Sequence, residues 1–346
     1  NVGTYDITPA IGSNPNYAIT TVAANLTVNP APLTVTADDA TRVFGDLNPT
    51  FTATPSGLVL GQSLTDLGTL SVGSSFPQTT DVGTYDLNAS FGTTTALASN
   101  YTVTFQPGDF VINPRPVSIL ASSATRVYGD INPTFTFSID GTNPPGLTNA
   151  SLLDTTGITV TTPATPSSDV GTYAVNAAGI TDANFTITYV PGTIEVNPAP
   201  LTIRADDAAR LYGAANPTFT SSATGLKLAD TVADVLGDSA LGTTATVTSD
   251  VGTYDISLTG TPASSNYNIT LEAGTLTVNQ APLLITPALS SRLYGDPDPT
   301  FSIAATGLLN GDATSVVTAI TFSGSAPTAG VGAQTISILS ANAINY

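Results

Sequence analysis

Along most of the chain apolar and polar residues alternate one for one. Leu33-Thr34-Val35-Thr36-Ala37 does so, as do Phe51-Thr52-Ala53-Thr54 and Tyr101-Thr102-Val103-Thr104-Phe105. A period of two is that of a strand with one face on a core and one in water, and β-branched Thr suits the wet face. Turn signals recur about every ten residues, which predicts six or seven short strands in each stretch of some eighty residues. One segment, 61–67, breaks the alternation and predicts a single helical turn, with a counterpart at 227–236. The fold class expected is all-β: tandem small Ig-like β-sandwich modules in an extended rod. If the helical turn is real, β-grasp-like modules with one short helix are the alternative.

The pattern repeats. Segments opening Ala-Pro-Leu or Arg-Pro-Val begin at 31, 115, 199 and 281, that is, 84, 84 and 82 residues apart. A second block follows as RVFGDLNPTF from Arg42, RVYGDINPTF from Arg126, RLYGAANPTF from Arg210 and RLYGDPDPTF from Arg292. A third, DVGTYD or close to it, starts at Asp81, Asp169 and Asp250, with VGTYD from Val2 and a degenerate VGAQT from Val331. A fourth is Asn before an aromatic, at Asn16-Tyr17, Asn100-Tyr101, Asn184-Phe185, Asn266-Tyr267 and Asn345-Tyr346. Self-similarity at a fixed period marks a module array. The boundaries expected are 1–30 (the last part of a repeat), 31–114, 115–198, 199–280, and 281–346 (a repeat without its last strand or strands). The natural protein is therefore expected to continue in both directions. The junctions Asn-Pro-Ala-Pro, Asn-Pro-Arg-Pro and Asn-Gln-Ala-Pro hold their neighbours extended and predict short, stiff linkers.

Composition narrows the function. Seven basic and 25 acidic residues give a net charge of −18, and only 9% of residues are charged. Such a chain repels nucleic acid and offers no segment that inserts in a membrane. It has no Cys, Met, Trp or His. Disulfides and the usual metal and nucleophile chemistry are missing, and the lack of oxidisable side chains suits an exposed extracellular protein. Lys227 is the single Lys, so a general Lys–Asn cross-link is excluded. No enzymatic activity is expected, because no base, nucleophile and pocket come together.

Taken in order, Arg-x-(Tyr/Phe)-Gly-Asp-x-Asn-Pro-Thr-Phe, Val-Gly-Thr-Tyr-Asp, Asn-Tyr and a closing strand ending in Asn resemble the MBG domain of YGX type, over essentially the whole chain. The departures are Ala214 in place of Asp, Ser122-Ser123 in place of Asp-Asp, and VGAQT. The resemblance implies a segment of a large secreted bacterial adhesin, including the filamentous-haemagglutinin-like kind. It transfers no catalytic residue.

Arg42, Arg126, Arg210 and Arg292 are four of the seven cations at one repeat position. They read as guanidinium groups lying across each module, held by backbone carbonyls and an Asp, with Asp46, Asp130 and Asp296 as candidate partners. A row of cationic glycan contacts is the functional alternative. Phe44, Tyr128, Tyr212 and Tyr294, each before a Gly, read as turn residues whose rings plug the core. No cofactor is expected. Asp38, Asp39, Asp206 and Asp207 are the calcium candidates, against a plain reading as solvated turn acids, and no EF-hand spacing is present. The function expected is a non-enzymatic stalk of a bacterial cell-surface or extracellular adhesin. The alternatives are a self-associating filament or biofilm-matrix protein, or a weak multivalent glycan-binding module. The partners expected are further copies of the repeat, with self-association or matrix glycans beside them.

Overall fold

The computed structural model describes all residues except 74, 325 and 327. The chain divides into two compact units, Asn1–Ala124 with Thr134–Pro163 and Ala174–Thr193, and Thr125–Pro133 with Ala164–Tyr173 and Ile194–Tyr346. The division runs through the second repeat, so the first and third repeats are each complete within one unit.

The first unit begins with an antiparallel hairpin of Gly3–Ile7 and Ala24–Val28. In the first repeat, Ala31–Ala37 pairs antiparallel with Ala53–Ser56 and parallel with Tyr101–Gln106. A second sheet has Gly108–Asn113 at its centre, parallel to Ala40–Val43 and antiparallel to Gly83–Leu87. Gly68–Val72 and Ala89–Thr94 form a further ladder. From the second repeat, Arg115–Ala121 lies between Phe137–Asp140 and Phe185–Val190, again with one antiparallel and one parallel neighbour.

The second unit holds the same plan in the third repeat. Ala199–Ala205 runs antiparallel to Ser221–Thr224 and parallel to Tyr267–Glu272. The other sheet is ordered Ala208–Leu211, Gly274–Asn279, Gly252–Thr259, Ala240–Thr243. In the fourth repeat Leu284–Pro287 pairs with Ile303–Thr306, and Thr318–Phe322 with Ile338–Asn342.

The alternation read from sequence sets which face is inside. Leu33, Val35 and Ala37 are buried, as are Leu201, Ile203 and Ala205, while the intervening residues face outward or lie partly covered. In the third repeat Ala205, Ala245, Ile256 and Leu276 form one cluster, capped by Phe219 and Tyr254. The closing strand can lie against the opening one because it starts with Gly. A Cβ at Gly108, Gly192 or Gly274 would stand 2.3, 2.4 or 2.6 Å from a backbone oxygen of the opening strand or the turn after it.

The helical turn is present as Leu64–Leu67 and Val232–Leu236, and also as Asn149–Leu152. Each starts with a reciprocal cap, Ser63 with Asp66, Thr231 with Asp234, and Thr148 with Ser151. Hydrogen bonds from the Ser63 backbone and hydroxyl hold the Asp66 carboxylate below its ordinary range, and the Thr231 hydroxyl and backbone do the same for Asp234. The turns press Leu67, Val235 and Leu236 into the cores. Each complete repeat is an all-β module of small sheets with one α-helical turn, and the first adds a 3-10 turn at Ala96–Asn100. The parallel pairs were not legible in the alternation, which reports a strand's faces and not its neighbours' direction.

Candidate functional site

The recurring motif residues form two sites, one inside each repeat and one between consecutive repeats.

The inner site is the arginine. Arg42, Arg126 and Arg210 are buried. Arg126 Nε donates to Asn132 Oδ1 at 2.8 Å, Nη1 to the Val127 carbonyl at 3.1 Å, and Nη2 to the Thr165 carbonyl. Arg210 repeats this with Asn216 at 2.7 Å, Leu211 at 3.1 Å and Thr246. Arg42 instead spreads Nη1 and Nη2 over the carbonyls of Val43, Asp46, Gln78 and Pro77, with its guanidinium 5.7 Å from the Phe110 ring centre. Burial pulls the Arg42 guanidinium below its ordinary value, against the opposing charge of Asp46. Arg292 Nε meets Asp298 Oδ1 at 2.9 Å. Five donors in one plane match such a ring of carbonyls, and a lysine could not.

The carboxylates offered as partners do not fill that role. Asp46 and Asp296 meet their arginines through backbone carbonyls. The side chain on the arginine comes from the Asn-Pro step: Asn132, Asn216 and Asp298. That side chain lies six positions after the Arg, across the Tyr-Gly turn, which brings its oxygen back onto Nε. The Asp46 and Asp130 carboxylates form ion pairs elsewhere. Asp46 pairs with Arg115, and Asp130 with Lys227 at 2.8 Å.

The outer site joins consecutive repeats. In four of the five Asn-aromatic steps, at Asn100, Asn184, Asn266 and Asn345, the Asn latches the Val-Gly turn of the repeat before it. The Val2, Val82, Val170 and Val251 N–H groups donate to Oδ1 of Asn100, Asn184, Asn266 and Asn345 at 2.7, 2.8, 2.9 and 3.0 Å. Nδ2 of Asn184, Asn266 and Asn345 donates to Asp81, Asp169 and Asp250 at 2.8–3.0 Å. The turn is closed from its own side by Tyr85, Tyr173 and Tyr254, whose hydroxyls donate to the carbonyls of Asp81, Asp169 and Asp250.

Beside the latch the rings meet. Phe44 packs edge-on to Phe185, Tyr128 to Tyr267 and Tyr212 to Tyr346, with centroids 5.5–5.6 Å apart. The ring expected to plug the core does so at the seam of two repeats: Tyr128 clusters with Val196 of its own repeat and with Ala199, Leu201 and Val235 of the next. Tyr128 and Tyr267 both donate to Asp230 Oδ2, at 3.1 and 2.6 Å, and Tyr212 and Tyr346 both donate to Asp312 Oδ2, at 3.0 and 2.8 Å. Burial and the Asp230 carboxylate push the Tyr267 hydroxyl up to about 12. The signature Gly, at φ +85, +83 and +78 in the three turns, leaves room for the next repeat, since a Cβ there would stand 2.5–3.0 Å from Leu152, Lys227 or Leu309. Tyr294 is the exception at 68% exposed, against 4–5% for Phe44, Tyr128 and Tyr212.

The calcium candidates lie at the turns linking the opening strand to the second sheet. Asp38 accepts from the Thr52 and Thr54 hydroxyls, which hold it below the usual carboxylate range. Asp206 accepts from Thr220, and Asp39 and Asp207 accept the N–H groups of Asp109 and Thr275. Ser122 and Ser123 accept the backbone N–H groups of Thr136 and Thr193 at the same places, which explains how serines replace the acids. Among the described residues no three His, Cys, Asp or Glu side chains converge as a metal cluster.

Sequence reasoning found the Asn-aromatic block without giving it a role. The recurrence of Asn alone, with the following ring free to be Tyr or Phe, was the available signal that the amide does the work.

No helix among the described residues is long and apolar enough to cross a membrane. Comparison with curated proteins gives no significant match. Residues 33–111, 117–195, 201–277 and 283–346 each match the MBG domain (YGX type). The motif that names this domain is the one that supplies the clamp, the ring and the glycine of every junction, and the chain belongs to the MBG domain (YGX type) family as four tandem copies.

Proposed function

We propose that this segment is a non-enzymatic stalk of a bacterial cell-surface or secreted adhesin, setting a distal binding region away from the cell. One observation carries the reading: the recurring polar side chains hold backbone or hold the next repeat. Arg42, Arg126 and Arg210 are taken up by backbone carbonyls, with an Asn side chain on the last two; Asn184, Asn266 and Asn345 by a neighbour's turn; and Phe44, Tyr128 and Tyr212 by the seam with the next repeat. Residues selected for catalysis or ligand capture would present free functional groups instead. A latch, a ring pair and a proline-held linker at each junction restrict bending there, which is what a spacer requires.

Small-angle scattering of the full chain tests this. The expected result is a long maximum dimension, independent of protein concentration, that shortens when Asn184 and Asn266 are both changed to Ala. Growth with concentration would favour the self-associating filament, and saturable binding to a mucin-glycan array by the intact chain would favour the glycan-binding module. A compact particle unaffected by the two changes overturns the stalk.

A further inference from the structure

Six of the seven cations have structural positions in the modules or at their junctions. Four are the clamps. The other two, Arg115 and Lys227, each sit on the near edge of a repeat and reach the acid that follows the Phe-Gly or Tyr-Gly pair of the repeat before: Asp46 and Asp130. The third junction lacks both charges together. Ala214 stands where Asp46 and Asp130 stand, and the residue laid over its Gly213 is Leu309, in the place that Lys227 takes over Gly129. The charges are present in pairs or absent in pairs.

We propose that the residue after each aromatic-Gly pair selects the module that docks next. An Asp takes a module with a cation at its near edge, and an Ala takes one with an aliphatic side chain there. The physical basis is that edge-on ring packing and the Asn latch recur at all three junctions, whereas an Asp or Lys left unmatched at a partly exposed edge is penalised. The rule applies to the fourth repeat. Tyr294 is exposed, nothing stands within 4 Å of a Cβ built on Gly295, and Asp296 follows. By this rule, a module docked on that face would carry Asn before an aromatic and a cation over Gly295 or beside Asp296. The rule holds whether the segment acts as a spacer or as a binder.

Charge exchange in the full chain tests it, read as amide exchange at the latched N–H groups, Val170 for the second-to-third junction and Val251 for the third-to-fourth. Asp130→Lys and Lys227→Asp are each expected to speed exchange at Val170 about two- to five-fold, the range of a partly exposed ion pair, and the double exchange to recover most of it. Ala214→Asp alone is expected to speed exchange at Val251, and adding Leu309→Lys to reverse that. Val82, at the first-to-second junction, reports whether the fold is intact in every variant. Single changes that leave Val170 and Val251 unaltered, or double changes that are merely additive at either junction, overturn the rule.

Discussion

The junction between the first and second repeats and the junction between the second and third share a skeleton and differ in their polar ties. Both have the Asn latch, at 2.8 and 2.9 Å, and both have an edge-on ring pair, at 5.6 and 5.5 Å. In the later junction the rings are tyrosines, and Asp230 accepts both hydroxyls. In the earlier one they are Phe44 and Phe185, which have no hydroxyl to place. There Arg115 takes over: Nε donates to the Phe44 carbonyl and Nη1 to the Thr142 carbonyl, both at 2.7 Å, and Nη2 pairs with Asp46. Ring geometry and latch are therefore fixed requirements of docking. Polar satisfaction is a separate requirement that different side chains meet, provided no buried group is left without a partner.

The change expected to separate the two junctions most is Arg115→Ala. It leaves the Phe44 and Thr142 carbonyls without their donor and should cost the first junction about 2–4 kcal/mol, since Arg115 is buried. Exchange at Val82 should accelerate while Val170 keeps its rate. Next comes the glycine pair. Gly295→Ala meets only its φ of +90 and should cost about 1 kcal/mol, whereas Gly129→Ala at φ +83 must also displace the Lys227 stem and should cost about 2–3 kcal/mol. Equal losses of stability, measured by denaturant titration, would mean that docking does not need the glycine. Asn184→Ala and Asn266→Ala should each cost about 1–2 kcal/mol and by the same amount, because the latch is common to both junctions; unequal losses in local exchange would break the shared skeleton.

The smallest effect is with pH. The folded value of Tyr267 is raised from 10.0 to about 12. Its contribution is complete below pH 10, where both states keep the proton. It is lost as pH rises toward 12, because the unfolded chain releases the proton first. Tyr128 is shifted in the same direction, by burial and then by Asp230. Thermal melts followed over this range should show Tyr267→Phe removing part of the alkaline decline, and the Phe44–Phe185 junction contributing none through its rings.

Much of the module was legible beforehand for a physical reason. Leu33, Val35 and Ala37 alternate with Pro32, Thr34 and Thr36 because a pleated strand puts neighbours on opposite faces, and that pattern is local. The capped turn at Ser63 to Asp66 is local as well. What escaped was non-local. Asp46 lies four residues from Arg42, and proximity in sequence suggested the pair, yet its carboxylate serves Arg115 in the next repeat. The clue was the substitution itself: Arg115 replaces the Ala that opens the other repeats, and Ala214 replaces the Asp. The true clamp partner, Asn132 or Asn216, sits beyond a turn whose course only the fold reveals.

The parallel pairing inside each complete module has a mechanical consequence. In the third repeat the opening strand Ala199–Ala205 lies parallel to Tyr267–Glu272, and Ala208–Leu211 lies parallel to the closing strand Gly274–Asn279. Tension that draws the two ends of the module apart pulls one member of each pair backward and the other forward. The ladder is loaded along its length, so its hydrogen bonds resist together and cannot be peeled open singly. A module loaded in this way gains tensile strength from its ladders alone.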